Sequence, residues 1–150
     1  MFATDAIDHL IAHFDLLAAG PDPLGNPTYD FTGKFTFTAT ELDPTHLQLA
    51  ADLPDLNGVD RPALTRRLLE ASVQGVETGA GQIGLHPTLG MALIQTLHTT
   101  PLDLALFEMR FVDFTLYAEY WRIEGAARVL AETAPARAPR NEEVQVPIRI

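Results

Sequence analysis

The sequence has no cysteine, one lysine (Lys34), one serine (Ser72) and one tryptophan (Trp121). Without cysteine there is neither a disulfide framework nor a thiolate metal site. Ten Lys and Arg against twenty acids give a formal net charge of −10. Affinity for nucleic acid comes largely from Lys and Arg against phosphate, so nucleic-acid partners are not expected, nor are anionic membranes. No apolar run approaches the roughly 18 residues that span a bilayer. The first eight residues carry Asp5 and Asp8 and no base, the opposite of an export signal. These absences point to a soluble cytoplasmic protein of one domain, and 47% hydrophobic residues supply a core.

Catalytic and cofactor chemistry is equally scarce. A lone Ser72 outside any G-x-S-x-G turn does not make a nucleophile elbow. Gly75, Gly79 and Gly81 lack the lysine and the strand-to-helix context of a phosphate loop. The acids are spread along the chain, so no pair stands out for glycosidase chemistry. Asp5, His9 and His13 recur every four residues and line one helical face, a spacing that metal sites use. Solvated acids and histidines on an amphipathic helix give the same pattern. The reading is therefore no enzyme, no cofactor and no metal.

What is present is patterned apolar sequence. Ile7, Leu10, Ile11, Phe14, Leu17 and Ala18 recur at three-and-four spacing and predict a helix over Thr4 to Ala19, capped by Thr4 or Asp5 and stopped by Gly20-Pro21. Phe31, Phe35, Phe37 and Ala39 share one parity and predict a strand with a hydroxylated opposite face. Asp43-Pro44 turns it into a second strand carrying Leu47, Leu49, Ala51 and Leu53. Asp60 and Pro62 start a middle helix running to about Ser72, with Leu64, Leu68 and Ala71 on one face and Leu69 beside them. Gln74 to Gly81 reads as a turn or irregular edge. Gln82 to His86 and Met91 to His98 are strands, the second apolar on both parities, as a strand covered on both faces would be.

Thr100-Pro101-Leu102-Asp103 predicts a helix start with Thr100 as the cap. Helical steps to about Ala131 give two apolar stripes on opposite sides. Leu104, Phe107, Phe111, Phe114, Ala118 and Trp121 form one. Ala105, Met109, Val112, Leu116, Tyr120 and Ile123 form the other. Such a helix needs two partners: the sheet on one side, the first helix or another molecule on the other. From Thr133 the chain turns to Ala, Pro and Arg, so residues 1–132 read as the domain and 133–150 as a disordered tail. The last residues, Val144 to Ile150, alternate like a strand. The fold class is α+β: a mainly antiparallel twisted sheet with three helices, in the order helix, two strands, helix, strands, helix.

The stretch from Leu68-Leu69-Glu70-Ala71-Ser72 through Gly81-Gln82-Ile83-Gly84-Leu85-His86 to Phe111-Val112 and Ala118-Glu119-Tyr120-Trp121 resembles the class I type III secretion chaperones of bacteria. In that family a helix ending near L-L-x-x-N precedes a Gly-containing strand and turn, and a long last helix carries F-V-x-x-A-x-x-W. Here the two halves of the last motif stand further apart, and Ser72 lies near where Asn is common. The resemblance implies a homodimer that holds the extended N-terminal segment of a secreted effector without ATP, with the secretion-apparatus ATPase as a possible further partner. It places the dimer interface at Leu64, Leu68, Leu69, Val73, Met91, Leu93 and Leu97. It places effector contacts at Ile7, Ile11, Phe31, Phe35, Phe37, Leu47 and Leu49, along an exposed sheet edge. Plain core packing is the competing role for each of these residues. The competing function is a small-molecule-binding or adaptor α+β domain in a non-secretory complex.

Overall fold

A computed structural model describes residues 1–73, 75–100 and 103–135. It is an α+β domain built on one six-stranded antiparallel sheet. The chain runs α1 (Ala3–Phe14), β1 (Leu17–Ala18), β2 (Thr28–Phe31), β3 (Phe35–Asp43), β4 (His46–Asp52), α2 (Pro62–Val73), β5 (Gln82–His86), β6 (Gly90–His98) and α3 (Leu104–Tyr120). A π-helical turn, Trp121–Gly125, then leads into α4 (Ala126–Glu132). The sheet order is β1-β2-β3-β4-β6-β5. Among the described residues no helix is long and apolar enough to cross a membrane.

Three elements differ from the sequence reading. The first helix does not reach Ala19: Asp15 adopts the left-handed conformation (φ 53°) and its N–H closes on the Ile11 carbonyl. Asp tolerates that conformation better than most residues, so it ends a helix without glycine. Leu17 and Ala18 then pair with Asp30 and Tyr29 as an edge strand. Nor do Thr4 or Asp5 cap α1: the cap position is Phe2, the Ala3 N–H reaches the Pro44 carbonyl, and the Thr4 hydroxyl donates to Glu41.

The stretch read as one Phe-rich strand is a hairpin. Thr32 (φ 49°) and Gly33 (φ 74°) are both left-handed, and the Lys34 N–H closes on the Phe31 carbonyl, so a tight three-residue connection, Thr32 to Lys34, joins the two strands. Phe31 then pairs with Phe35 and Tyr29 with Phe37. Paired residues share a face, so the alternation survived the fold-back that it concealed.

The cap of α3 is one turn later than Thr100. Asp103 is the N-cap, its carboxylate accepting from the Leu106 N–H at 2.8 Å. Thr99 is still engaged with the sheet side, its N–H on the Thr45 carbonyl. Pro101 and Leu102 lie outside the described residues.

The inner face of the sheet carries Tyr29, Phe35, Phe37, Leu47, Leu49, Leu93 and Leu97, all buried. The first stripe of α3 packs on it, with the Phe111 ring against Phe37 (5.7 Å between centroids), Phe31 (6.0 Å) and Phe14 of α1 (4.8 Å). In α2, Leu64, Leu68 and Ala71 point into the same core. Trp121 is fully buried and donates its indole N–H to the Glu77 carbonyl at 2.8 Å. Glycine is required at the π-turn, because a Cβ on Gly125 would lie 2.8 Å from the Trp121 ring. Across the back of α2, Arg67 bridges Glu77 (2.6 Å) and Glu132 (2.9 Å), tying α2 to the following loop and to α4. Hydrogen bonding to Arg67 holds the Glu77 carboxyl below its ordinary pKa.

Phe111→Ala is expected to cost about 3–5 kcal/mol, the range for removing a large buried aromatic ring, read as a lower urea midpoint at unchanged slope. Because the pKa of Glu77 is depressed, its contribution is present above the ordinary carboxylate pKa and is lost as pH falls through the folded value. Glu77→Gln should therefore flatten the acid side of the stability profile without shifting the neutral-to-basic side, as read by chemical denaturation at stepped pH.

Candidate functional site: apolar surfaces the fold leaves open

Apart from Leu104 at its start, which is exposed, the long last helix buries one of its two apolar stripes. Phe107, Phe111, Phe114, Ala118 and Trp121 are at or near zero exposure. On the opposite side Met109, Val112, Leu116 and Ile123 are exposed, Leu116 by 59% and Ile123 by 72%. The first helix does not cover them. It meets α3 through Phe14 on Phe111, and through His9, whose ring nitrogen lies 2.7 Å from the Glu108 carboxylate. An open cleft of about 510 Å³ continues the exposed stripe, lined by Val76, Asp113, Leu116, Tyr117, Tyr120 and Arg128.

The middle helix repeats this pattern on a smaller scale. Leu64 and Leu68 face the core, whereas Leu69 and Val73 (76% exposed) face out. Val76 and Leu85, on the following loop and on β5, are exposed as well. The outer edge of β5 is partly closed, because the Ile83 N–H donates to Ser72 Oγ at the end of α2. The opposite edge of the sheet is the two-residue β1, where Leu17 is 68% exposed. Short edge strands limit unwanted pairing, yet still offer N–H and C=O groups to an added strand.

Against this geometry the expected contact residues divide sharply. Among the proposed effector contacts, Ile7, Ile11 and Phe31 are half-buried at the core margin. Phe35, Phe37, Leu47 and Leu49 are buried in this chain's own core, at 4% exposure or less. Their placement on a partner-facing surface is therefore corrected: they lie on the sheet face that α1 and α3 cover. Of the proposed dimer contacts, Leu69 and Val73 are exposed and Met91 is half-buried. Leu64, Leu68, Leu93 and Leu97 are core residues and are likewise corrected as surface contacts. Met91 to Leu97 needs less outside cover than its sequence implied, since on its second parity Ala92 is buried and Ile94 half-buried within the folded chain, while Thr96 is polar and exposed.

Alternation along a strand marks which face is apolar but not whether the chain itself covers it. The exposed residues Leu17, Val76, Leu85 and the outer α3 stripe were absent from the expected contact set. Only the α3 stripe had a legible signal, in the second line of apolar residues on its helix.

The family model of the Tir chaperone protein (CesT) family matches residues 5–122. The chain belongs to the CesT family of chaperones. No curated protein sequence matches it. Two solved complexes contain chains of similar fold. The ExsC–ExsE complex matches with a TM-score of 0.56 and 18% identity, covering 79% of this chain and 89% of that one. The HopA1–SchA chaperone–effector complex matches with a TM-score of 0.55 and 14% identity, covering 79% and 91%. At these identities the structural likeness speaks for the fold alone.

Leu116→Asp is expected to leave the thermal midpoint nearly unchanged, whereas Phe114→Asp, two residues away on the opposite side of the helix and fully buried, should abolish the cooperative transition. Circular dichroism melts of the two variants test which side of α3 the core claims.

Proposed function

We propose that this CesT-family protein is a type III secretion chaperone that works as a homodimer and holds the extended N-terminal segment of a secreted effector, without ATP. The observation that carries this reading is the apolar surface that remains open when the domain is folded. A domain of this size with exposed Leu17, Leu69, Val73, Leu116 and Ile123 leaves more apolar surface than its own elements cover. Large exposed apolar patches mark interaction sites.

In this reading the effector segment lies along the α1–β1 side. Its backbone adds to the free edge of β1, and its apolar side chains sit beside Leu17, Ile7, Ile11 and Phe31. Main-chain hydrogen bonds provide affinity with little sequence demand, and alternate side chains provide selectivity. Equilibrium binding of this kind keeps a segment extended and needs no nucleotide. The partner subunit covers Leu69 and Val73 of α2, with Met91 at the margin. The net charge of −10 keeps such a surface in solution until it is occupied. Residues 1–132 act as the chaperone domain, and the work is done in the bacterial cytoplasm, where the secretion-apparatus ATPase is a further candidate partner. The expected tail at 133–150 lies mostly outside the described residues.

Light scattering is expected to give about twice the 16.4 kDa chain mass. Leu69→Asp combined with Val73→Asp should give a folded monomer. An unchanged dimer would remove α2 from the interface. Leu17→Asp combined with Ile11→Asp should keep the dimer but lose retention of a secreted protein that the parent chaperone holds through its N-terminal segment. Undiminished retention would move the effector site to the outer α3 stripe. A parent protein that is monomeric and retains nothing would favour a small-ligand or adaptor domain instead.

A further inference from the structure

The fold completes a ligand set that one helix alone does not supply. His9 and His13 lie one turn apart on α1, with rings stacked at 5.4 Å between centroids. The third group on the helical face, Asp5, is not part of the cluster. In its place α3 brings Glu108 across the helix–helix contact. One Glu108 oxygen is 2.7 Å from His9 Nε2 and the other is 3.6 Å from His13 Nε2. The three ligand atoms all lie within 4.8 Å of one another. Two donors bound to one tetrahedral zinc at about 2.0–2.1 Å stand roughly 3.3 Å apart. The two histidine–carboxylate separations bracket that value and the histidine pair lies within 4.8 Å, so side-chain adjustment brings all three donors to one ion.

We propose that His9, His13 and Glu108 form a zinc-binding site that joins α1 to α3. Two neutral imidazoles and one carboxylate suit zinc and its borderline neighbours. Magnesium and calcium instead take oxygen sets. Three protein ligands leave a coordination position for water, or for a donor from a bound partner. The His13 ring also packs edge-on against Phe14 at 4.8 Å, and Phe14 packs on the Phe111 core ring. Both contacts restrict the imidazole before metal arrives. Glu108 and His9 are half-buried and His13 is exposed, so an ion reaches the site from solvent without opening the fold. The last turn of α1 carries the negative end of the helix dipole, which favours a cation there.

The test is isothermal titration of zinc chloride into the tag-free full-length protein, with magnesium chloride as the control. One zinc per chain is expected, with no magnesium response. His9→Ala, His13→Ala and Glu108→Gln are each expected to weaken zinc binding by about tenfold or more. None of the three side chains is core, so their melts in the absence of metal should stay near the parent's. The only other close histidine pair among the described residues is His46–His98, stacked at 4.3 Å beside Asp43. His46→Ala combined with His98→Ala should leave zinc binding intact. Absence of zinc binding by the parent overturns the proposal. So does loss confined to the His46/His98 variant, and so does Glu108→Gln binding zinc as the parent does.

Discussion

A helix with apolar residues on opposite sides can bury only one of them against a single sheet. That constraint organises this molecule. The inward side of α3 provides Phe107, Phe111, Phe114 and Trp121, all fully buried. Phe111 is the hub, because its ring touches aromatic rings from α1, β2 and β3. Remove that stripe and the first helix, the hairpin and the sheet lose their common contact. The outward stripe gains nothing from the chain's own folding, so it stays in water at a cost that monomeric proteins usually avoid.

The same economy recurs at α2 and at the β1 edge. Leu64 and Leu68 enter the core while Leu69 and Val73 do not, and the sheet ends in a strand of two residues rather than under a helix. Twenty acids against ten bases let a chain with open apolar patches remain dispersed. In a chaperone family this combination has a physical sense: the patches are held ready by rigid elements, and repulsion between like-charged copies delays their nonspecific burial. The ion pairs of Arg67 with Glu77 and Glu132 hold α2, the next loop and α4 in one body behind those patches.

Much of the architecture was legible in local pattern. The strand Gln82–His86 was read with its bounds, because its alternation is framed by glycine and proline. The two stripes of α3 were read from 3.6-residue periodicity, and one of them is the core. The misreadings share a cause. The helix was carried past Asp15 because Leu17 and Ala18 continue its spacing, and a left-handed Asp leaves no mark in the sequence. The Phe31–Phe37 stretch was read as one strand because a hairpin returns paired residues to one face. Thr100 looked the better cap by composition, but Asp103 holds the position because the chain still follows the sheet at Thr99. The contact residues were the least legible, since Phe35 and Leu17 are equally apolar and differ only in what covers them.

By itself the sequence determined the α+β class, the acidic cysteine-free character, the surplus of apolar faces and the resemblance to secretion chaperones. These depend on composition, on periodicity and on motifs read along one chain. Only the tertiary structure decided which faces the surplus occupies, and that His9 and His13 meet Glu108 rather than Asp5. Those facts depend on which elements pack together, and residues 99 positions apart become neighbours only when a helix from each end of the chain is laid against the same sheet.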